Sequence, residues 1–311
     1  MNLLRKLPIW MVAAIGLMGC NQSGQKSDAM QDTLVIDHKL GKTTIGDKPS
    51  RIVVFDIGAL ETFNELGVKP IGIPKRYMPA YLSSLKDDET IGDVGSVIEP
   101  NLEAINALSP DLILISTRQE RFYDELSKIG PTIYVGVDTK DYINSFKHNT
   151  LLIGSIVGKE KETEDKLNAV LDKIGEVRKI AEGKPGKALF LLYNNGRFNA
   201  YGKGSRFGFI HDVIGLQPAL EHVEESVHGQ LVSNELIAET NPDYLFIVDR
   251  NEAVAGTAAG KDNIENKLIQ QTAAYKNHHI YYLDPEVWFI SGGGLTSTEK
   301  MLEDMEKILK P

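Results

Sequence analysis

Glu103-Ala104-Ile105-Asn106-Ala107-Leu108-Ser109-Pro110-Asp111-Leu112-Ile113-Leu114-Ile115 has a counterpart in Glu235-Leu236-Ile237-Ala238-Glu239-Thr240-Asn241-Pro242-Asp243-Tyr244-Leu245-Phe246-Ile247, 132 residues further on. In each, a glutamate opens a short helical stretch, a Pro-Asp turn stops it, and an apolar run follows that reads as a buried strand. The register persists past the strand: Arg118 lies 15 residues after Glu103, and Arg250 lies 15 after Glu235. A unit repeated at this distance predicts two halves of similar build.

Between the repeats lies a segment of another kind. Lys159 to Ala181 places Leu167, Val170, Leu171, Ile174, Val177, Ile180 and Ala181 on one face at helical spacing. Gly158 precedes it, and Gly183-Lys184-Pro185-Gly186 ends it. At 1.5 Å per residue such a helix runs about 35 Å. Strand patterns flank it: Arg51–Phe55, Pro70–Ile73, Asp111–Ser116 and Thr132–Gly136 before, Lys187–Tyr193, Asp243–Val248 and His279–Leu283 after. Helical stretches separate the strands, so the chain reads as α/β with mainly parallel strands. A hairpin, Leu34–His38 with Lys42–Ile45 turning at Gly41, precedes the first unit. The fold expected is two Rossmann-like lobes joined by a single long helix, with a ligand cleft between the lobes. Residues 33–158 form the N-terminal lobe, 159–183 the helix and 184–311 the C-terminal lobe. A crossover helix within one sheet is the alternative for 159–183; the repeat favours the linker.

Composition narrows the function. The 311 residues are 42% hydrophobic and 25% charged, with a net charge of −9 and a single cysteine. Such a chain has a sizeable core, and its acidic balance disfavours broad nucleic-acid binding. One cysteine excludes an intrachain disulfide, Cys-rich zinc modules and cysteine-ligated iron–sulfur clusters. That cysteine, Cys20, follows Arg5, Lys6 and the apolar run Ile9 to Met18, the order of a secretory signal. The run is about half the length that spans a bilayer. Leu17-Met18-Gly19-Cys20 resembles a bacterial lipobox, which implies that residues 1–19 are removed and that the Cys20 thiol carries a lipid. Residues 20–32 are polar and read as a flexible tether. The working chain is therefore expected outside the cytoplasm, lipid-anchored to a bacterial membrane.

Arg118 and Arg250 each fall just beyond the carboxyl end of a strand, where open α/β sheets bind ligands. Facing lobes would bring both guanidinium groups into one cleft. Glu103 and Glu235 are expected at the opposite end of their helix–strand units, one carboxylate per lobe, marking a different surface. Other motifs carry less. Gly202-Lys203-Gly204-Ser205 lacks the spacing of a phosphate loop, and Ser291-Gly292-Gly293-Gly294 reads as a close-approach loop before a final helix, Leu295 to Leu309. His278-His279 and the pair His222 and His228 lack the spacing and third ligand of a zinc or manganese site. No Gly-x-Ser-x-Gly elbow or completing triad is present, so no enzyme and no cofactor are expected.

The chain resembles the siderophore-binding lipoproteins of bacterial ABC iron importers, the helical-backbone class of periplasmic binding proteins. The likeness is greatest to the catecholate and petrobactin-type subgroup. It is carried by Val53-Val54-Phe55-Asp56, Gly92-Asp93-Val94-Gly95-Ser96, Ser205-Arg206-Phe207-Gly208, Val227-His228-Gly229-Gln230, Asn241-Pro242-Asp243-Tyr244 with Val248-Asp249-Arg250, and Trp288-Phe289 before Ser291-Gly292-Gly293-Gly294. The resemblance implies that Arg118, Arg206 and Arg250 surround a negatively charged ferric catecholate, a cargo and not a resident cofactor. Three arginines match the charge of a tris-catecholate complex, and arginine stays cationic at any working pH. His228 matches a histidine that in some members coordinates iron directly, paired with a tyrosine before the tryptophan of the carboxy-terminal loop. Here that position is Val287, so His228 gives iron one bond or hydrogen-bonds the siderophore. Trp288 either stacks on a catechol ring or packs in the core. Glu103 and Glu235 match the lobe carboxylates that dock on the permease, which works with its ATPase. The receptor is expected to be a monomer. The alternatives are the same scaffold carrying haem, cobalamin or a hydroxamate siderophore, or a secreted siderophore esterase.

Overall fold

The computed structural model describes residues 33–310 apart from 47, 224, 225 and 227. The expected signal segment, Cys20 and the tether lie outside the described residues. Among those described, no helix is long and apolar enough to cross a membrane.

The hairpin forms as read, with β1 (Thr33–His38) antiparallel to β2 (Gly41–Gly46). The first sheet contains β3 (Ile52–Val54), β4 (Gly72–Ile73), β5 (Gly92–Asp93), β6 (Leu112–Ile115) and β7 (Thr132–Tyr134). Its order is β5-β4-β3-β6-β7, and every pairing is parallel. The second contains β8 (Lys187–Asn194), β9 (Arg197–Tyr201), β10 (Gln217–Pro218), β11 (Gln230–Val232), β12 (Tyr244–Asp249) and β13 (Ile280–Tyr282). Its order is β11-β9-β8-β12-β13, with β10 also beside β8. Here β8, β10, β12 and β13 are parallel, while β9 and β11 add an antiparallel margin. The patterns Val53-Val54 and Leu245-Phe246-Ile247 are fully buried, as strands covered on both faces require.

The helices that position the site are α1 (Ile57–Glu65), α2 (Leu102–Leu108), α3 (Tyr142–Ile156), α4 (Glu160–Glu182), α5 (Asn234–Thr240) and α6 (Leu295–Leu309). The long segment is one helix, α4, which carries the chain from the first sheet to the second. Its buried face is Thr163, Leu167, Val170, Ile174, Val177 and Ala181. It packs on α3 and α6, and α6 also packs on α1. The last helix therefore returns to the first half of the chain. Gly58 permits this: a Cβ there would lie 2.7 Å from the Gly293 carbonyl carbon.

The repeat has a structural cause. Asn101 and Ser233 cap α2 and α5, accepting from the N–H groups of Ala104 at 3.0 Å and Leu236 at 3.2 Å. Ser109 and Asn241 end them in the left-handed region, at φ 45° and 46°. The aspartate after each proline then staples the start of the neighbouring central strand. Asp111 accepts from the N–H groups of Ser50 at 2.8 Å and Arg51 at 2.9 Å, and Asp243 accepts from that of Lys187 at 2.7 Å. Replacing either aspartate by alanine is expected to cost about 1–2 kcal/mol in urea unfolding, because a charge-assisted bond to strand-start backbone is lost.

Candidate ligand cavity

The strand ends carry the site. The β6 and β12 runs deliver Arg118 and Arg250 immediately past their carboxyl ends, and β9 feeds the loop from Gly202 to Arg206. Between the two sheets lies a cavity of about 740 Å³. Its first wall includes Asp56, Ser116, Thr117, Arg118 and Tyr134; its second includes Tyr201, Gly202, Lys203 and Arg206; Ile290 to Gly293 close it.

Arg118 and Arg206 meet on one main-chain carbonyl. Arg118 donates to the oxygens of Phe289 at 2.8 Å and Ile290 at 3.1 Å, and Arg206 also donates to the Phe289 oxygen. The Arg206 guanidinium lies 4.5 Å from the Phe289 ring centroid, and Arg250 lies 5.9 Å from it. Three cations thus gather about one residue. Arg250 is not on the cavity wall; it donates to Asn194 Oδ1 at 3.3 Å.

Desolvation, then the charges of Arg118 and Arg250, pull Arg206 down to about 9, with Tyr201 opposing. Arg206 is exposed on the cavity wall, a crowded cation that is still protonated at neutral pH. Burial also lowers Arg118, with the Asp56 carboxylate opposing. Asp56 caps α1, accepting from Ala59 N–H at 2.7 Å, and burial raises it despite that bond. Arg118 spends its donors on the carbonyls of 289 and 290, so the cluster keeps an excess of positive charge facing the cavity.

Trp288 takes the core role of the two expected for it, and the placement of Glu103 and Glu235 is corrected. Trp288 is in the core, 3% exposed, donating its indole N–H to Asp304 at 3.0 Å and packing against Phe190 and Phe209. Phe289, one residue on, is the aromatic beside the arginines. Residues 286–290 form a single π-helical turn, closed by Ser291 N–H to the Glu286 carbonyl at 3.1 Å, and this turn aims consecutive side chains in different directions. Glu103 and Glu235 are exposed, but not at the opposite end. A helix that follows a strand runs back against it, so its start lies at the carboxyl edge. Asn101 N–H donates to Val94 just past β5, and Val232 at the end of β11 is in register through Phe198 with Tyr193 near the end of β8. Both glutamates therefore share the arginines' edge while lying outside the cavity lining.

His228 is exposed on the loop before β11 and is not among the lining residues, although its neighbour Gly229 is. Among the described residues, no group of three His, Cys, Asp or Glu side chains is arranged to hold a metal ion. The Gly202-Lys203-Gly204-Ser205 loop borders the cavity, but Gly204 N–H is already taken by Asp212 at 2.7 Å. Sequence reasoning missed β9, which supplies Tyr201 to the wall. The signal was Asn195-Gly196, both at positive φ here, a dipeptide suited to a two-residue hairpin turn.

Two α/β halves whose carboxyl edges flank a basic cavity have the architecture of a solute-binding protein. The chain belongs to the periplasmic binding protein family, whose sequence profile matches residues 52–287. It is 43% identical to the petrobactin-binding protein YclQ of Bacillus subtilis over 96% of both chains. It is 32% identical to the ferric-anguibactin-binding protein FatB of Vibrio anguillarum over 94% of both. The crystal structure of YclQ matches with a TM-score of 0.87 over 90% of this chain and 99% of that one. That of the periplasmic catecholate-siderophore binding protein VctP of Vibrio cholerae matches at 0.83 and 34% identity, over 89% of this chain and all of the other. These matches agree with the expected family and with two-lobed α/β architecture.

Proposed function

We propose that this protein is an extracytoplasmic receptor that captures a ferric, catecholate-type siderophore and delivers it to an ABC permease for iron uptake. The observation that carries the reading is the meeting of Arg118 and Arg206 on the Phe289 carbonyl, with Arg250 across the same ring, beside a cavity of about 740 Å³. A ferric tris-catecholate is anionic, aromatic and of a size such a cavity holds. Its oxygens accept from guanidinium forks, and its rings pack beside Phe289. Relatives named for petrobactin and anguibactin binding support the cargo class. His228, at the rim, contributes to the ligand or to iron after movement of its loop. Glu103 and Glu235 offer the permease one carboxylate per half at the edge where the cavity lies. The division into a signal segment 1–19, a tether 20–32 lipidated at Cys20, lobes 33–158 and 184–311 and a connecting helix 159–183 belongs to the same reading, as does a monomeric, non-enzymatic receptor.

Fluorescence titration tests it. A ferric hexadentate tris-catecholate should bind at submicromolar concentration, about 100-fold or more tighter than a neutral ferric hydroxamate of similar size, because two or three charge-assisted contacts separate them. Tighter binding of haem, cobalamin or the hydroxamate overturns the cargo assignment.

A further inference from the structure

Glu61 is fully buried and has no cationic partner among the described residues, yet it sits outside the cavity lining. We infer that Glu61 is a positioning residue of the anion site: its carboxyl group holds residues 286–297 against α1, and those residues present the carbonyls that orient Arg118 and Arg206. This rests on the receptor reading above.

The geometry is specific. Glu61 Oε1 accepts from the Tyr81 hydroxyl at 2.7 Å and from the Ser291 hydroxyl. Its Oε2 accepts from Ser297 N–H at 2.7 Å. Tyr81 belongs to the first half of the chain, whereas Ser291 and Ser297 lie 230 and 236 residues beyond Glu61. At the other end of the same segment, Glu286 Oε2 accepts from Ala80 N–H at 2.8 Å. The segment is thus a strap fixed at both ends to the 56–82 region. Between the two fixings lie the Phe289 and Ile290 carbonyls that receive Arg118, and the Phe289 carbonyl and ring that receive Arg206. One turn on, Glu65 accepts from the Thr296 hydroxyl at 3.0 Å and pairs with Lys166 of α4 at 3.0 Å, tying the strap's continuation to the long helix.

Packing alone does not require a carboxyl group here. An apolar side chain would fill the space, but it would leave Ser297 N–H in the first turn of α6 and the hydroxyls of Tyr81 and Ser291 without this acceptor. What the carboxyl group supplies is direction: contacts from two distant segments converge on it and set the strap's place. Close approach of Gly58 to Gly293 allows the strap to reach it, and a Cβ at Gly58 would also lie 2.8 Å from Gly294 N. Displacement of the strap moves the arginine anchors with it.

The test uses a ferric hexadentate tris-catecholate as probe, with affinity measured on protein shown to melt cooperatively. Glu61→Ala should bind about tenfold or more weakly, and Glu61→Gln, which keeps the shape and an acceptor oxygen, should restore affinity to within about twofold of the original protein. A purely structural role would lower the melting temperature of Glu61→Ala and leave its affinity unchanged; that result overturns the inference, as does a Gln variant as weak as Ala. If Glu61→Ala does not fold, Ser291→Ala decides: about a threefold weakening is expected, and unchanged affinity overturns. If the original protein does not bind the probe, the cargo reading fails by itself. The strap is then followed in ligand-free protein by the emission of Trp288, which it carries. A red shift is expected in Glu61→Ala and not in Glu61→Gln, and coincident spectra for all three proteins overturn the positioning role.

Discussion

Joint replacement of Arg118, Arg206 and Arg250 by alanine should lower affinity for a ferric tris-catecholate by about a thousandfold or more, with the fold retained. Hydrogen bonds to charged groups contribute about 1.5–3 kcal/mol each, and about 1.4 kcal/mol is a tenfold change in affinity. The lower end of that range applies here, because the guanidinium groups are not idle in the ligand-free protein. Arg118 and Arg206 already serve the carbonyls of Phe289 and Ile290, so a ligand exchanges bonds rather than adding them. Single replacement of Arg118 or Arg206 should each weaken binding about 10- to 30-fold. Arg250 stands behind Phe289 and off the wall, and its loss should weaken binding by less than about tenfold. Lysine should not restore Arg118, since a point charge cannot reach two carbonyls and a ligand oxygen together. Retained affinity in the triple variant, measured by fluorescence quenching, would place the anion elsewhere.

The second large effect concerns stability. Burial raises Glu61 to about 7 from 4.5, against the bonds it accepts from Ser291, Ser297 and Tyr81. The titratable groups facing it are Tyr81 and Tyr142, both themselves raised by burial, so no cation opposes the shift. Between pH 4.5 and 7 the folded chain then holds a proton that the unfolded chain has released. Stability from this group is full below pH 4.5 and is lost as pH rises through 7. The loss amounts to about 3 kcal/mol. Glu306, lowered to about 2 by Lys173 and Lys310, acts in a separate window between 4.5 and 2 with the opposite sign. Asp56 and Asp304 are raised and act in the same direction as Glu61, so the difference between proteins is the useful readout. Urea unfolding of the original protein and of Glu61→Gln should agree near pH 5 and diverge by pH 8, the variant being the more stable. Parallel pH profiles would mean that Glu61 does not titrate in the folded state.

Much of the fold was legible because it is written locally. The final helix runs from Leu295 to Leu309 after the glycine-rich loop as read, and the long helix differs from its reading by a residue or two at each end. The Pro-Asp repeat signalled two sheets, since the same cap, left-handed stop and strand staple recur within a dozen residues each time. Strands β5 and β10 were not legible; two residues each, they exist only because a neighbouring strand supplies the ladder.

By itself, then, the sequence determined the order of the main helices and parallel strands, the two-sheet plan and the presence of arginines at strand ends, because periodicity, capping and turn chemistry act over a few residues. The tertiary structure decided which side chains meet. That Phe289 and not Trp288 faces the arginines was decided by packing, which holds the Trp288 ring against Phe190 and Phe209 and its N–H on Asp304. That Glu103 and Glu235 share the cavity edge follows from helices running back along the strands they succeed. And Glu61, in an apolar helix with no motif around it, became part of the site only when the returning chain brought Ser291 and Ser297 to its carboxyl group. Contacts across more than 200 residues are set by how two sheets and their helices pack, which no local pattern encodes.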